Sequence, residues 1–197
     1  MKRRDAMRLR LASLTAVIFI AAIFRLVPHP PNFTPIAAMA LFGGAYFPAL
    51  RSALAVPFGA MLLSDVVLVS AVYGWHGLGV MPFVYGSFAL TVCLGRYIRQ
   101  RPRLPFIAAA SLAGAVLFYL VTNLGVWLSG HMYPGTWQGL VACYAAAIPF
   151  FRNTIAGDLF YASLLFGGFD LMQRRFPVLR APSPVLAEVK VAARCVR

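Results

Sequence analysis

Long apolar runs, separated by short basic or proline-rich segments, follow one another from residue 11 to residue 176. A helix that crosses a membrane needs about 20 mostly apolar residues, and several of these runs approach or exceed that length. Of the 197 residues, 61% are hydrophobic and only 12% are charged. This composition is far too apolar for a soluble domain of this size. The sequence therefore predicts an all-α integral membrane protein.

The basic residues indicate how the chain is oriented. Of 18 lysines and arginines, 16 lie in residues 2–10, 51, 96–103 and 174–197. A topology with six spans puts all of these segments on one side of the membrane, which the positive-inside rule identifies as the cytoplasm. Both termini are therefore predicted to be cytoplasmic. The net charge of +13 then indicates contact with the lipid bilayer and its anionic head groups, and we predict no nucleic-acid partner.

Residues 139–172 decide the number of spans. They hold two apolar runs, separated by Pro149 and the polar residues Arg152, Asn153 and Thr154. If both runs crossed the membrane, the basic tail would end opposite every other basic segment. The first run has about 13 residues, fewer than a span needs. We therefore predict a short re-entrant or interfacial helix there, and a sixth span from residue 153 with Asn153 or Thr154 as its N-cap.

The resulting organisation has three parts. Residues 1–10 form a basic cytoplasmic leader, residues 11–176 the membrane domain with six transmembrane helices, and residues 177–197 a basic cytoplasmic tail that is mobile or lies on the membrane surface. Residues 1–26 resemble a signal peptide but show no clear cleavage site, so we predict an uncleaved first helix. In the second helix, Gly43 and Gly44 allow close helix contact or a local break.

Polar residues gather toward the predicted outer side. Amides and carboxylates inside spans are costly unless they are paired or face a cavity, so this asymmetry predicts a polar pocket open to the outside. All three histidines, His29, His76 and His131, fall in the outer loops. The candidate substrate-binding residues are Asn32, Asp65, Tyr85, Asn123, Trp127, Arg152, Asn153 and Asp158.

Several of these candidates have a structural interpretation as well. Asp65 can pair with Arg25 or Arg152 to hold helices together. Arg152, at the predicted start of a helix, meets an unfavourable dipole and needs Asp158, Asp65 or an anionic ligand group. Asn123 is as well suited to bridge helices, and Trp127 lies where an interfacial aromatic belt is expected.

Enzyme signatures are missing from the sequence. It contains no G-x-S-x-G, H-E-x-x-H or Walker A motif, so no energy source for pumping is visible. The histidines lack the close spacing of zinc ligands, and the three cysteines are too scattered to indicate a disulfide; we predict no metal and no cofactor. An integral-membrane enzyme that uses Asp65 or Asp158 with an outer-loop histidine as acid and base stays open, as does a structural membrane subunit.

The stretch PNFTPIAAMALFGGAYFPALRSALAVPFGAMLLSDVV, residues 31–67, resembles the opening of the S components of energy-coupling factor transporters. Ala12 and Ala16 are similar to the small-residue motif with which those proteins dock on their transmembrane partner. The resemblance implies a six-helix protein of the bacterial inner membrane that captures a small vitamin-like or polar solute from the periplasmic side. It also implies a transmembrane and ATPase module as a partner that supplies energy.

A second resemblance concerns other segments of the chain. HPPNFTP, GVWLSGHMYPGTW and PFFRNTIAGDLFY are similar to segments of a bacterial membrane family whose function is uncharacterised. This likeness implies the same multi-pass topology and names no solute.

Overall fold

The computed structural model describes residues 3–73, 78–99, 102–130 and 132–180. In these ranges the chain is helical and contains no strand, so the prediction of an all-α fold is confirmed. The α-helices are α1 Arg3–Phe24, α2 Ile36–Tyr46, α3 Leu50–Leu68, α4 Met81–Ile98, α5 Leu104–Leu128 and α6 Trp137–Arg175. A π-helical segment, Val69–Tyr73, extends α3, and short 3-10 segments cover Leu78–Val80 and Pro177–Leu179.

Four helices of the described residues are long and apolar enough to cross a membrane: α1, α3 with its π-helical extension, α5 and α6. These helices are compatible with a multi-pass membrane protein. The helix α2 has 11 residues and reaches only about 16 Å, against a hydrocarbon core of about 30 Å. It therefore needs protein rather than lipid around it.

The short helix α2 lies at the centre of the fold. Its sequence is apolar on every side, which is typical of a helix buried in a core, and nine of its 11 residues are buried. It packs against α4, α3, α6 and α1. The Phe42 ring meets the rings of Phe166 and Phe169 on α6 edge to face. Pro35 stands at its N-terminus and Pro48 follows its C-terminus, so the helix stays short because prolines bound it.

The helices α2 and α4 cross at two glycines, Gly44 and Gly95, so of the two outcomes predicted for Gly43 and Gly44 the close helix contact is found at Gly44. A Cβ atom added to Gly44 would meet the carbonyl oxygen of Val92, and one added to Gly95 would meet that of Leu41. The two backbones are therefore in direct contact, which residues without a side chain allow.

The prediction of a separate re-entrant helix between the fifth and sixth spans is wrong. One continuous helix, α6, runs through both apolar runs and has 39 residues. It begins after Thr136, whose hydroxyl oxygen accepts a hydrogen bond from the Gly139 N–H at 3.2 Å, so neither Asn153 nor Thr154 is its N-cap. At about 58 Å, α6 exceeds the 40–45 Å of a whole bilayer. Both runs can thus belong to one helix without a second crossing.

Two polar side chains that suggested a break in α6, Asn153 and Thr154, are hydrogen-bonded within the fold. The Thr154 hydroxyl donates to the Phe150 carbonyl oxygen at 3.1 Å, one turn back. The Asn153 side chain donates to the Pro31 carbonyl oxygen at 3.0 Å, so it ties α6 to the loop between α1 and α2. Pro149 lies inside the helix, where a missing N–H is tolerated when neighbouring groups compensate.

Both ends of the described chain are part of the helical fold. Residues 3–10, predicted as a basic leader, are helical and form the first turns of α1. At the other end, Leu179 is buried and its carbonyl oxygen accepts a hydrogen bond from Arg10 at 2.8 Å. The predicted mobile tail falls on residues 181–197, which lie outside the described residues.

The hydrogen bonds define two ends of the helix bundle. At one end, Arg96 and Arg99 at the end of α4 donate to Phe47 and Pro48 between α2 and α3, and Arg10 of α1 meets Leu179 beyond α6. We call this the arginine end. At the other end, the loop of residues 25–35 lies beside the end of α3 and the start of α4. We call it the aspartate end, after Asp65 and Asp158.

Candidate functional site

A cavity of about 640 Å³ opens at the aspartate end, between the loop of residues 25–35 and the helices α3, α4, α5 and α6. Its size is typical of small-molecule sites. Apolar side chains such as Leu68, Val84 and Phe118 form much of its wall. The polar side chains in its lining are Arg25, His29, Asn32, Thr34, Asp65, Thr154 and Asp158. We call it the aspartate cavity.

One wall of the aspartate cavity is a buried ion pair. Nη1 of Arg25 lies 2.7 Å from Oδ1 of Asp65, and their side chains are 11% and 9% exposed. The same nitrogen donates to the Ser64 hydroxyl at 2.6 Å. The Tyr85 hydroxyl donates to Oδ2 of Asp65 at 2.7 Å. Both carboxylate oxygens of Asp65 are therefore engaged, which suits a structural role better than that of a general base.

The ion pair resolves an alternative that the sequence left open. Asp65 has Arg25 as its partner, not Arg152. A buried pair of this kind holds α1 to α3, and through Tyr85 it reaches α4 as well. It also cancels the charge of Arg25, so the guanidinium adds no net positive charge to the cavity.

Asp158 on α6 is the other carboxyl group of the cavity, and unlike Asp65 it is not paired with another side chain among the described residues. Its side chain is nearly inaccessible, with the residue 3% exposed, and it lines the cavity. Its Oδ2 atom has no hydrogen-bond partner among the described residues, and no cation of that part of the chain pairs with it. Burying such a group without a partner is costly. Asp158 is therefore the residue of the cavity that is best able to accept a hydrogen bond from a ligand.

The position of Asp158 depends on the residue before it. A Cβ atom on Gly157 would lie 3.1 Å from the Phe33 Cα atom and 3.2 Å from the Thr34 nitrogen. The loop between α1 and α2 therefore rests directly on the backbone of α6, beside the aspartate. In that loop Asn32 has a positive φ of 63°, a conformation that asparagine tolerates better than most residues.

The structure brings together half of the predicted site residues. Asn32, Asp65 and Asp158 line the aspartate cavity, and Tyr85 bonds to Asp65. Asn123 lines a smaller cavity of about 220 Å³, which shares Asn32, Phe118 and Thr154 with the larger one. The amide of Asn123 already donates to the Tyr119 carbonyl oxygen at 2.7 Å, within its own helix.

The remaining predicted residues lie away from the aspartate cavity. Arg152 is exposed in the middle of α6, so the inference that it stands at a helix start is wrong, and it lines none of the cavities found among the described residues. The indole N–H of Trp127 donates to the Pro134 carbonyl oxygen at 3.0 Å. Asn153 holds the loop at Pro31. His76 and His131 lie outside the described residues.

Sequence reasoning did not select four polar residues of the lining, Arg25, His29, Thr34 and Thr154, nor Ser64, which accepts a hydrogen bond from Arg25. Ser64 and Thr154 are hydroxyls inside apolar helices, and such residues give no pattern that separates cavity walls from helix backbone contacts. Arg25 was easier to identify as unusual, because it is one of two basic residues outside the basic clusters.

Among the described residues no group of three or more His, Cys, Asp or Glu side chains is placed to hold a metal ion.

The fold and the cavity together define a helical protein with membrane-length helices and buried ionisable groups around a polar cavity at the aspartate end. The chain belongs to DUF6580, a family of unknown function, whose family model matches residues 5–179. No curated protein and no solved structure matches the chain. The prediction of an uncharacterised family is confirmed. The resemblance to the S components of energy-coupling factor transporters stays a prediction.

Proposed function

We propose that this protein is a solute-binding protein of the bacterial inner membrane, with the aspartate cavity as its binding site. In this proposal the chain passes through the membrane six times, four times in the long helices and twice in α2 and α4. Both termini lie in the cytoplasm. The clustering of basic residues at the arginine end supports this orientation through the positive-inside rule, and it makes the aspartate cavity open to the periplasm.

The observation that carries the proposal concerns Asp158: its buried Oδ2 atom has no partner among the described residues, and the residue lines a cavity of about 640 Å³. Buried polar atoms in folded proteins are nearly always hydrogen-bonded. A ligand that donates a hydrogen bond, or carries a positive charge, supplies the missing partner.

The charges of the cavity narrow the class of solute. Asp65 neutralises Arg25, and Asp158 is the carboxyl group of the described lining that has no partner. The site therefore favours a solute with an amine, an amidine-like group or an N–H-rich ring. The apolar wall around Leu68 and Phe118 covers the rest of such a molecule. The sequence had instead suggested an anionic ligand group beside Arg152. The exposed position of Arg152 removes the basis for that choice.

Uptake of the bound solute requires energy from elsewhere. The sequence contains no nucleotide-binding motif, so we propose that a transmembrane and ATPase module, like that of the S components, engages this protein. A rocking motion of the protein alone is the other route. Binding in the aspartate cavity is common to both.

The role of Asp158 can be tested with Asp158→Asn. We expect small molecules retained by the detergent-purified protein, measured by mass spectrometry, to include a cationic or donor-rich solute. Its occupancy in the variant should fall about tenfold or more, since a hydrogen bond to a charged group contributes about 1.5–3 kcal/mol. The melting temperature should not fall, because Asp158 has no partner to lose among the described residues.

Asp170→Asn is the matched control for this experiment. Asp170 is the other aspartate of α6, it is 54% exposed and it lies at the arginine end. Its variant should retain the solute at the level of the wild type. Equal retention in Asp158→Asn and the wild type would refute the proposed site.

The proposed orientation predicts which cysteines a membrane-impermeant maleimide labels in intact spheroplasts. In a background with Cys93, Cys143 and Cys195 replaced, Val27→Cys should react and Arg51→Cys should react only after lysis. Val27 is 52% exposed in the loop of the aspartate end, and Arg51 is exposed at the other end. The reverse labelling pattern would show the opposite orientation.

A further inference from the structure

A second cavity, of about 680 Å³, lies at the arginine end, between α1, α2, α5 and α6. Arginines from three parts of the chain line it: Arg10 of α1, Arg99 after α4 and Arg174 of α6. The carboxylate among its described lining residues is Asp170, which pairs with Arg174 at 2.8 Å. The lining thus keeps an excess of positive charge. We call it the arginine cavity.

Arg10 forms a fixed part of the wall rather than a side chain in solvent. The residue is only 7% exposed. Its Nη1 atom donates to the Leu179 carbonyl oxygen at 2.8 Å, and its guanidinium carbon lies 5.8 Å from the centre of the Phe169 ring. These contacts hold the guanidinium group in place, and a guanidinium has five N–H donors. Arg99 is anchored in a similar way, by a hydrogen bond of 3.0 Å to the Pro48 carbonyl oxygen.

Ser111 on α5 provides an independent indication of a ligand. It lines the arginine cavity and is 3% exposed. Its hydroxyl oxygen has no hydrogen-bond partner among the described residues. Serines inside helices usually bond to a carbonyl one turn back, as Ser163 does in the same cavity. The hydroxyl of Ser111 is instead available to a group that enters the cavity.

We infer that the arginine cavity binds a phosphate group. Guanidinium groups match the oxygen atoms of phosphate in planar, paired hydrogen bonds, and a serine hydroxyl can donate to a further oxygen. The phosphate belongs either to the head of an anionic phospholipid, which basic pockets between membrane helices are known to bind, or to a soluble phosphorylated compound. This site is separate from the aspartate cavity and does not depend on the function proposed for it.

The test uses the full chain, purified in an uncharged maltoside detergent. Isothermal titration with inorganic phosphate and with glycerol 3-phosphate measures binding of a soluble compound. Native mass spectrometry with phosphatidylglycerol, compared with phosphatidylcholine, measures binding of an anionic head group. We expect one of these phosphate probes to bind, and the arm that shows binding identifies the source of the phosphate.

Two sets of variants locate the site. The double variant Arg99→Gln/Arg174→Gln should weaken binding about tenfold or more, because hydrogen bonds to charged groups are lost. Arg4→Gln/Arg51→Gln removes the same charge from exposed arginines at the same end, neither of which lines the cavity. It should change affinity by less than about twofold, as expected for solvent-screened charges outside the cavity.

Ser111→Ala separates binding from folding. It should weaken phosphate binding about threefold or more, because the hydroxyl no longer donates a hydrogen bond to the anionic phosphate. Its melting temperature without phosphate should match the wild type, because the hydroxyl has no bond to lose among the described residues. The inference is overturned if neither inorganic phosphate, glycerol 3-phosphate nor phosphatidylglycerol binds. It is also overturned if the two arginine pairs weaken binding equally, or if Ser111→Ala leaves the affinity unchanged.

Discussion

Replacing Arg25 with methionine is expected to lower the free energy of unfolding by about 3–5 kcal/mol, the usual cost of breaking a buried ion pair by removing one partner. Asp65 would keep its charge in a site where it is 9% exposed, and the Ser64 hydroxyl would lose its donor. For a chain of this length the melting temperature should fall by about 6–20 °C. Thermal unfolding of the detergent-purified variant measures the change.

A second substitution shows that the loss comes from the stranded charge. In Arg25→Met/Asp65→Leu both charges are gone, and apolar replacements of a buried pair are often neutral. Most of the stability should return. The recovery should be incomplete because the Tyr85 hydroxyl loses the carboxylate that accepts its hydrogen bond.

Arg174→Met is the control for the same chemistry at an exposed position. Its partner is Asp170, and the two side chains are 75% and 54% exposed. Exposed pairs contribute about 0–1 kcal/mol, so this variant should unfold almost as the wild type does. If Arg25→Met were equally mild, the Arg25 and Asp65 pair would not be a buried one.

The sequence predicted the helical class and most of the helices because long apolar runs leave little choice of structure. It failed at α6 for a specific reason. Pro149, Arg152 and Asn153 are residues that often mark a helix break when only their neighbours in the sequence are considered. They are overridden because Asn153 finds an acceptor at Pro31, a contact with a distant loop that no window of the sequence contains. Arg152 was misplaced as a consequence, since its supposed position at a helix start followed from that break.

The candidate site was predictable to a similar extent. The cost of a carboxylate in an apolar helix was sufficient to select Asp65 and Asp158. The sequence could not show that the two differ, because the difference lies in what surrounds them. Asp65 is covered by Arg25 and Tyr85, whereas Oδ2 of Asp158 has no partner in the part of the chain that the structure describes. Only the packing of α1 against α3, and of α3 against α4, makes that distinction.

The crossing of α2 and α4 should be highly sensitive to a single added methyl group. Gly44→Ala and Gly95→Ala each place a Cβ atom against a backbone carbonyl of the other helix, at Val92 and Leu41 respectively. A backbone cannot move aside as a side chain does, so the helices must separate. Overpacking costs about 1–3 kcal/mol where side chains can adjust, and here we expect about 3 kcal/mol or more. The melting temperature in detergent is the measurement.

Gly86→Ala is the matched control because it lies in the same helix, α4, and nothing is within 4 Å of its added Cβ atom. Alanine is the better helix former by about 0.5–1 kcal/mol, so this variant should be as stable as the wild type or slightly more so. The same substitution should therefore lower the stability at Gly44 and Gly95 but not at Gly86, because only the first two lie where the backbones of α2 and α4 are in contact. Because α2 is the helix around which the others pack, separating it from α4 should also disturb the arginine end, where Arg96 and Arg99 bond to Phe47 and Pro48. If Gly44→Ala and Gly86→Ala melted at the same temperature, the two helices would not be in backbone contact.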